Sequence, residues 1–335
     1  MLNIITNDNI DSRLERSLSY FIREVGVPAP PPPRHDDAAK VPDSVEWRAV
    51  ATYVALAYSM AWLVEGIALA RGVRFAHLTI GATALLASVM FTPALAALIV
   101  RALRKEGFAS AGLRFGPLRL YAAVWLGVPL LAGVIYALTI ACGLGTFDRS
   151  VSRLTELLHT YSGGRPLPAL PPMRVLALLM FLQSISLGLI ITTIATFGEE
   201  LGWTGYLLVK LLPLGRWRAA LLYGVIWGLW HAPVIVGGYN YPGYPVLGVV
   251  MMCLLTTALA LGQTALRLRS NSVLLTSFAH ACVNAQGLGV LPLFFLGVSP
   301  MLGGITGVVG IGVFGVVGAW LLASTDVAPV QGRAR

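Results

Sequence analysis

The chain has 335 residues, of which 56% are hydrophobic and only 12% are charged. This composition, with a mean hydropathy of +0.76, excludes an ordinary soluble globular protein and predicts a polytopic membrane protein. The formal charge of +9 is dispersed among short loops instead of being gathered on one face. We therefore expect a lipid bilayer as its surroundings and no nucleic acid as a partner.

The chain begins with a polar segment, residues 1–46, whose proline run from Pro28 to Pro33 predicts an extended, partly disordered cytoplasmic tail. Apolar runs of about 20 residues, the length that crosses a hydrocarbon core, then recur through a transmembrane domain at 47–323. Residues 324–335 form a C-terminal tail. We predict an all-α fold of about eight transmembrane helices that enclose a polar cavity. Their approximate bounds are 49–70, 77–101, 118–144, 175–197 with a continuation to about 210, 217–236, 246–266, 271–291 and 301–323.

The loops differ in charge. Basic residues concentrate in alternate loops, as in the loop that contains Arg101, Arg104 and Lys105, whereas the loops near 237–245 and 292–300 carry no charge. This bias favours both termini on the cytoplasmic side. We expect a multi-pass protein of the cell's inner, or cytoplasmic, membrane.

Three apolar segments carry polar residues at their centres. Glu199 and Glu200 follow one apolar run, His231 lies in a second, and His280 and Asn284 lie in a third. Counted at the α-helical rise from the nearest cytoplasmic basic residue, Glu199 and His280 lie about 16 Å deep and His231 about 20 Å deep. Because these depths agree, we predict that the three segments build one buried site.

Helical spacing predicts how these side chains are arranged. His280 and Asn284 are four residues apart and share a face. Glu199 and Glu200 are about 100° apart, so only one of them can point squarely into a cavity. Trp227 precedes His231 by four residues and could wall the cavity. By contrast, Glu65 and His77 lie near outer helix ends, where we expect them to reach toward water.

A glutamate, two histidines and an asparagine in a shielded pocket suit the activation of water for attack on a carbonyl carbon. Glutamate would be the general base, a histidine could share the water, bind a metal or donate to the oxyanion, and the Asn284 amide could stabilise the oxyanion. Hydrolysis of a peptide bond is the natural reaction. Two alternatives are a proton- or cation-coupled carrier that uses Glu199 and Glu200 as its relay, and a non-catalytic bacteriocin immunity or membrane-interaction protein on the same scaffold.

These motifs resemble those of the CPBP family of intramembrane proteases, which includes CAAX prenyl endopeptidases and bacteriocin-related bacterial proteins. The resemblance covers about residues 175–291. The motifs carrying it are Glu199-Glu200-Leu-Gly-Trp-Thr204, Trp227-Gly-Leu-Trp-His231 and His280-Ala-Cys-Val-Asn284.

The resemblance implies an intramembrane metalloendopeptidase acting on a membrane-anchored peptide or protein, CAAX-like or bacteriocin-like. Glu199 would activate water with His231, Glu200 would support Glu199, and His280 and Asn284 would stabilise the oxyanion or help to hold a metal. Glu199, His231 and His280 could form a three-ligand site for Zn²⁺ or another divalent ion. Thr204 stands where the family's first motif usually has arginine, which places a carboxylate-terminated CAAX substrate in question.

Overall fold

The computed structural model describes residues 42–76, 79–162, 171–287, 289 and 291–325. The predicted tail at 1–46 lies largely outside these residues, as does most of 324–335. In the part described, two short strands, β1 and β2, pair antiparallel with Thr146 opposite Leu296 and Phe147 opposite Phe295. The helices are α1 (Trp47–Ala70), α2 (Ile80–Val89), α3 (Thr92–Arg104), α4 (Leu118–Ala141), α5 (Ser152–Tyr161), α6 (Met173–Ser184), α7 (Leu187–Gly202), α8 (Leu208–Leu211), α9 (Arg216–Trp230), α10 (Ala232–Val236), α11 (Pro245–Ser270), α12 (Val273–Gly287) and α13 (Val308–Ala323).

The chain is a multi-pass membrane protein. Among the described residues, five helical segments are long and apolar enough to cross a bilayer, and a sixth is added if the bent pair Met173–Ser184 and Leu187–Leu214 counts as one span. The five are Trp47–Ala70, Ile80–Arg104, Leu118–Ala141, Pro245–Ser270 and Val273–Phe294.

The eight spans predicted from the sequence are not confirmed. The segment at 217–236 is interrupted at His231, so that α9 has only 15 residues. Pro233 follows within the first turn of α10 and has no N–H with which to continue the preceding helix. The last predicted span, 301–323, begins as a helix only at Val308, and α13 has 16 residues. Both segments are therefore shorter than the roughly 20 residues that cross a hydrocarbon core.

Two of the three helices that carry the motifs, α9 and α12, pack on α11. Helix α9 lies along α11, α12 packs on α7 and α4, and α7 also packs on α3. Gly228 permits the close approach of α9, because a Cβ added there would lie 2.5 Å from the Cα of Cys253. At Gly202 an added Cβ would lie 2.5 Å from the Cβ of Pro93. Small residues thus let the backbones of these helices meet beside the polar side chains.

A π-helical turn, Trp203–Leu207, follows the two glutamates directly. Its last hydrogen bond runs from the Leu208 N–H to the Trp203 carbonyl, five residues back. Two buried arginines from other helices bind this turn: Arg267 Nε donates to the Thr204 carbonyl at 3.2 Å, and Arg101 Nη2 donates to the Gly205 carbonyl at 3.0 Å. Two guanidinium groups therefore bind consecutive carbonyls of the turn.

Candidate active site

A cavity of about 110 Å³ lies between the motif-bearing helices. Four residues predicted to form the site, Glu199, His231, His280 and Asn284, all line it. The structure thus brings together side chains from three motifs that are up to 85 residues apart in the chain. The other lining residues are Glu65, Leu86, Val89, Met90, Trp227, Trp230, Val234, Tyr239, Asn240, Met252, Leu255, Thr256, Leu259, Val283, Gly287, Ile305 and Thr306.

Glu199 is held by two tryptophans. Its side chain is 3% exposed, and its Oε2 accepts hydrogen bonds from the indole of Trp227 at 2.8 Å and that of Trp203 at 3.4 Å. Both indoles reach the same oxygen, which leaves Oε1 for another partner. Because an indole N–H only donates, this arrangement suits an acceptor carboxylate. Trp203, which is fully buried, does not line the cavity, whereas Trp227 does.

His231 immediately follows the last residue of α9. Its Nδ1 lies 2.9 Å from the Trp227 carbonyl oxygen. A carbonyl oxygen can only accept, so Nδ1 carries the proton and Nε2 of the neutral ring has a free lone pair. Trp227 lines the cavity, as its spacing from His231 predicted, and the centroids of the two rings are 6.2 Å apart. In the structure the backbone carbonyl of Trp227 makes that hydrogen bond, while its indole binds Glu199.

His280 is oriented by the second glutamate. Its Nδ1 lies 3.0 Å from Oε1 of Glu200, and both side chains are buried, at 6% and 0% exposure. Gln263, from α11, also donates to Oε1 of Glu200 at 3.4 Å and to the Thr276 carbonyl at 3.1 Å. Glu200 is absent from the cavity lining. It is the supporting carboxylate that the sequence predicted, but it supports His280 and not Glu199.

The imidazole of His280 also packs edge-on against Trp227, with ring centroids 5.0 Å apart and planes at 73°. Trp227 therefore contacts both His280 and Glu199. Asn284 follows His280 by one helical turn on α12 and lines the same cavity. The amide and the imidazole thus face one space, as their four-residue spacing predicted.

The prediction for Glu65 is wrong. We expected this side chain to reach water at an outer helix end, but it is 1% exposed and lines the cavity that contains Glu199. Its Oε2 is buried without a hydrogen-bond partner. The sequence indicated where Glu65 lies along α1, but it did not indicate which residues pack around the last turns of that helix. His77, the other residue set aside, lies outside the described residues.

Thr204 occupies the position at which an arginine was expected. It is fully buried, and its hydroxyl lies 2.8 Å from that of Thr276 and donates to the Glu200 carbonyl at 3.0 Å. The guanidinium group near this position comes instead from Arg267, which binds the Thr204 backbone. Sequence reasoning missed Arg267 and Gln263, since both lie on α11, which carries none of the three motifs.

The residues expected to hold Zn²⁺ or another divalent ion were tested by their arrangement. The free Nε2 atoms of His231 and His280 are suitable donors. However, within the described part of the chain no three His, Cys, Asp or Glu side chains are grouped closely enough to hold a metal ion. Glu199, His231 and His280 do not fit such an ion as they are arranged here.

A comparison with protein families matched residues 181–286 to the family described as type II CAAX prenyl endopeptidase Rce1-like. Residues 181–286 are similar to this family and are called the Rce1-like segment. The match confirms the resemblance found in the three motifs and supports an intramembrane protease in general. The Rce1-like segment contains Glu199, His231, His280 and Asn284, whereas Glu65 lies outside it. A comparison with curated proteins gave no match.

Proposed function

We propose that the chain is an intramembrane endopeptidase that hydrolyses a peptide bond of a membrane-associated substrate, with Glu199 as the general base. One observation carries this proposal. Glu199, His231, His280 and Asn284 line a single cavity, and three of them are oriented by hydrogen bonds to a second residue. Preorganised polar groups in a shielded cavity are what stabilises charge that develops during hydrolysis.

Glu199 takes a proton from water, and the water oxygen attacks the carbonyl carbon of the scissile peptide bond. Its Oε1 is the acceptor for this proton, because both indoles bind Oε2. His231, whose Nε2 lone pair is free, accepts a hydrogen bond from the same water and fixes its direction. When the C–N bond breaks, Glu199 returns the proton to the leaving amine, and the carboxylate is restored.

The oxyanion of the tetrahedral intermediate is stabilised by Asn284 and His280. The Asn284 amide donates an N–H, and a protonated His280 donates through Nε2 while its Nδ1–H remains bound to Glu200. Glu200 therefore contributes by holding the ring, as a carboxylate commonly does behind a catalytic imidazole. Removing one such oxyanion donor typically costs about 10²–10³ in rate.

We propose that the substrate is a membrane-anchored peptide or protein, CAAX-like or bacteriocin-like, in the inner membrane, and that both termini of the enzyme face the cytoplasm. The proposal of a divalent ion at Glu199, His231 and His280 requires these side chains to move closer together when the substrate or the ion binds. Metal content of the purified protein decides whether that occurs.

The experiment is cleavage of a library of lipidated and unlipidated membrane-anchored peptides by full-length protein in nanodiscs. Glu199→Gln keeps the shape of the side chain and removes the base, so we expect its cleavage rate to fall by at least about 100-fold. Glu156→Gln changes an exposed carboxylate away from the cavity and should cleave at the normal rate.

Two results would contradict the proposal. Unchanged cleavage by Glu199→Gln would remove the proposed base. Absence of cleavage by the wild-type protein across the whole library would favour a non-catalytic protein on the same scaffold. Metal analysis of the same samples distinguishes a metalloenzyme, with about one ion per chain lost on mutation of His231 or His280, from a metal-independent one.

A further inference from the structure

Glu65 is a second carboxylate in the cavity. It lies on α1, outside the Rce1-like segment, and it is as well buried as Glu199, with exposures of 1% and 3%. No step of the proposed hydrolysis uses Glu65. Its Oε2 has no hydrogen-bond partner, which is unusual, because buried polar atoms in proteins are nearly always hydrogen-bonded. The Glu65 side chain also lines the cavity, so a ligand bound there can supply the partner that the protein does not give this carboxylate.

The charge of the cavity indicates what kind of ligand this is. Among the described lining residues there are two carboxylates, Glu65 and Glu199, and no lysine or arginine. His231 and His280 are the basic groups, and the Nδ1 atoms of both are already hydrogen-bonded. His280 is paired with Glu200, no described residue forms an ion pair with Glu65, and leaving a buried carboxylate uncompensated is costly. A positively charged donor is the ligand that repays this cost.

The remaining lining near α1 also fits a ligand with a polar end and an apolar stem. Tyr239 and Asn240 come from the turn after α10, and Leu86 and Val89 come from α2. An alkyl stem can contact the apolar side chains while its charged end reaches the carboxylate, as lysine and arginine side chains commonly do. A carboxylate-terminated ligand would meet two like charges instead.

We infer that Glu65 forms a cation subsite, which binds a primary ammonium or guanidinium group of the substrate in the cavity beside Glu199. That the bound cation belongs to a protease substrate rests on the proposed function; binding of the cation itself does not. The subsite makes a peptide with a basic residue close to the scissile bond the preferred substrate class.

The direct test measures binding without turnover. Full-length protein in nanodiscs is titrated calorimetrically with n-butylammonium and with 1-butanol, a neutral molecule of similar size, and the signals of empty nanodiscs are subtracted. We expect butylammonium to bind the wild-type protein at least about tenfold more tightly than butanol, since a hydrogen bond between two charged groups is stronger than one from a neutral hydroxyl. Glu65→Gln should remove this preference, and Glu65→Asp, which keeps the charge, should retain part of it.

Control variants separate Glu65 from the other carboxylates. Glu199→Gln should keep the preference for butylammonium, and so should Glu156→Gln at the exposed surface. The inference is overturned if the wild-type protein does not prefer the cation, or if the preference survives in Glu65→Gln and disappears in Glu199→Gln. Thermal unfolding of each variant shows whether it folds. If Glu65→Gln does not fold, binding of butylammonium to Glu65→Asp decides between the two outcomes.

A cleavage experiment then tests whether the cation subsite determines which peptides are hydrolysed. Peptides that carry lysine or norleucine next to the cleaved bond are compared, and Glu65→Gln should lower the ratio of their kcat/KM values to about one while norleucine peptides are still cut. If no peptide is cleaved but butylammonium binding depends on Glu65, the protease proposal fails and the subsite stands. If cleavage occurs with the same ratio in both proteins, the subsite fails and the protease proposal stands.

Discussion

The Nδ1 of His280 donates to Oε1 of Glu200 across 3.0 Å, although the two residues are 80 positions apart in the chain. Because of this bond, the two adjacent glutamates have different roles. Glu199 faces the cavity, and Glu200 lies behind it and holds an imidazole that faces the cavity from another helix. A carrier that relays charge between the two glutamates would need both on one aqueous path, and Glu200 is fully buried and outside the lining.

Replacement of Glu200 tests this division. Glu200→Ala removes the acceptor of His280, and we expect kcat to fall at least about tenfold with a smaller change in KM, because groups that orient a functional histidine commonly contribute that much. Glu200→Gln keeps an acceptor oxygen and should recover part of the rate. Steady-state kinetics of the two variants are the measurement. Equal activity of Glu200→Ala and the wild-type protein would show that His280 does not need this support.

The Trp227 indole makes the shortest hydrogen bond to Glu199, at 2.8 Å. Trp227→Phe keeps an aromatic ring beside His280 but removes the donor, so we expect the free energy of unfolding to fall by about 1–2 kcal/mol and kcat to decrease. Trp125→Phe is the matched control, because its indole also makes one bond, to the Ile185 carbonyl at 2.9 Å, away from the cavity. If both variants lose activity equally, the contact with Glu199 has no special role.

Gly228 tests whether the close packing of α9 on α11 positions the second motif. Gly228→Ala places a methyl group 2.5 Å from the Cα of Cys253, and we expect the free energy of unfolding to fall by about 1–3 kcal/mol because the helices must separate. Gly133→Ala, on α4, meets nothing within 4 Å and should be neutral or slightly stabilising. Thermal unfolding in nanodiscs compares the two. A Gly228→Ala protein as stable as Gly133→Ala would exclude this packing role.

Glu46, at the start of α1, lies in an ionic cluster with Lys210, Arg104 and Glu106. Lys210 Nζ is 2.7 Å from Glu46 Oε1 and 2.9 Å from Glu106 Oε1. The hydrogen bond from Lys210, with the charges of Lys210 and Arg104, holds the pKa of Glu46 below its ordinary value. A carboxylate whose folded-state pKa is lowered stabilises the fold above its unfolded-state pKa, and this contribution is lost as the pH falls through the folded-state value.

We therefore expect Glu46→Gln to be less stable than the wild-type protein at pH 7, with the difference disappearing at acidic pH below about 4. Asp43→Asn changes an exposed carboxylate in the same segment and serves as the control. Unfolding curves between pH 3 and pH 8 are the measurement. A Glu46→Gln difference that stays constant over this range would contradict an ionic origin.

The sequence predicted the convergence of the site better than its surroundings. Agreement in depth correctly indicated that Glu199, His231 and His280 meet, since motif positions along helices follow directly from helical rise. The position of Glu65 near an outer helix end was misleading, because position along a helix does not say which other helices cover a side chain. A burial prediction for Glu65 would have required knowledge that α1 packs beside the cavity.

The number of membrane-spanning helices was predicted less well, because two of the apolar segments contain local breaks in the helix. Hydropathy reports apolar composition, and the segments at 217–236 and 301–323 are apolar enough to resemble spans. Their helices are shortened by the break at His231 and by the turns before Val308. The break at His231 contributes to the site, because it places the imidazole at a helix end, bonded back to the Trp227 carbonyl.

The π-helical turn at Trp203–Leu207 changes the sides of the helix on which the residues before and after it lie. Relative to an α-helix, such a turn accommodates one additional residue, equivalent to a rotation of about 100°. Glu199 and Lys210 are eleven positions apart in the sequence, a spacing that in an uninterrupted α-helix would place them within about 20° of each other. The additional residue between them turns Lys210 and its ionic cluster to a different side of the helix from the cavity carboxylate. Closing the turn into a regular α-helix would preserve all three motifs and yet rotate Glu199 by about 100° relative to Lys210, so this turn fixes the direction of the cavity carboxylate as firmly as the motifs do.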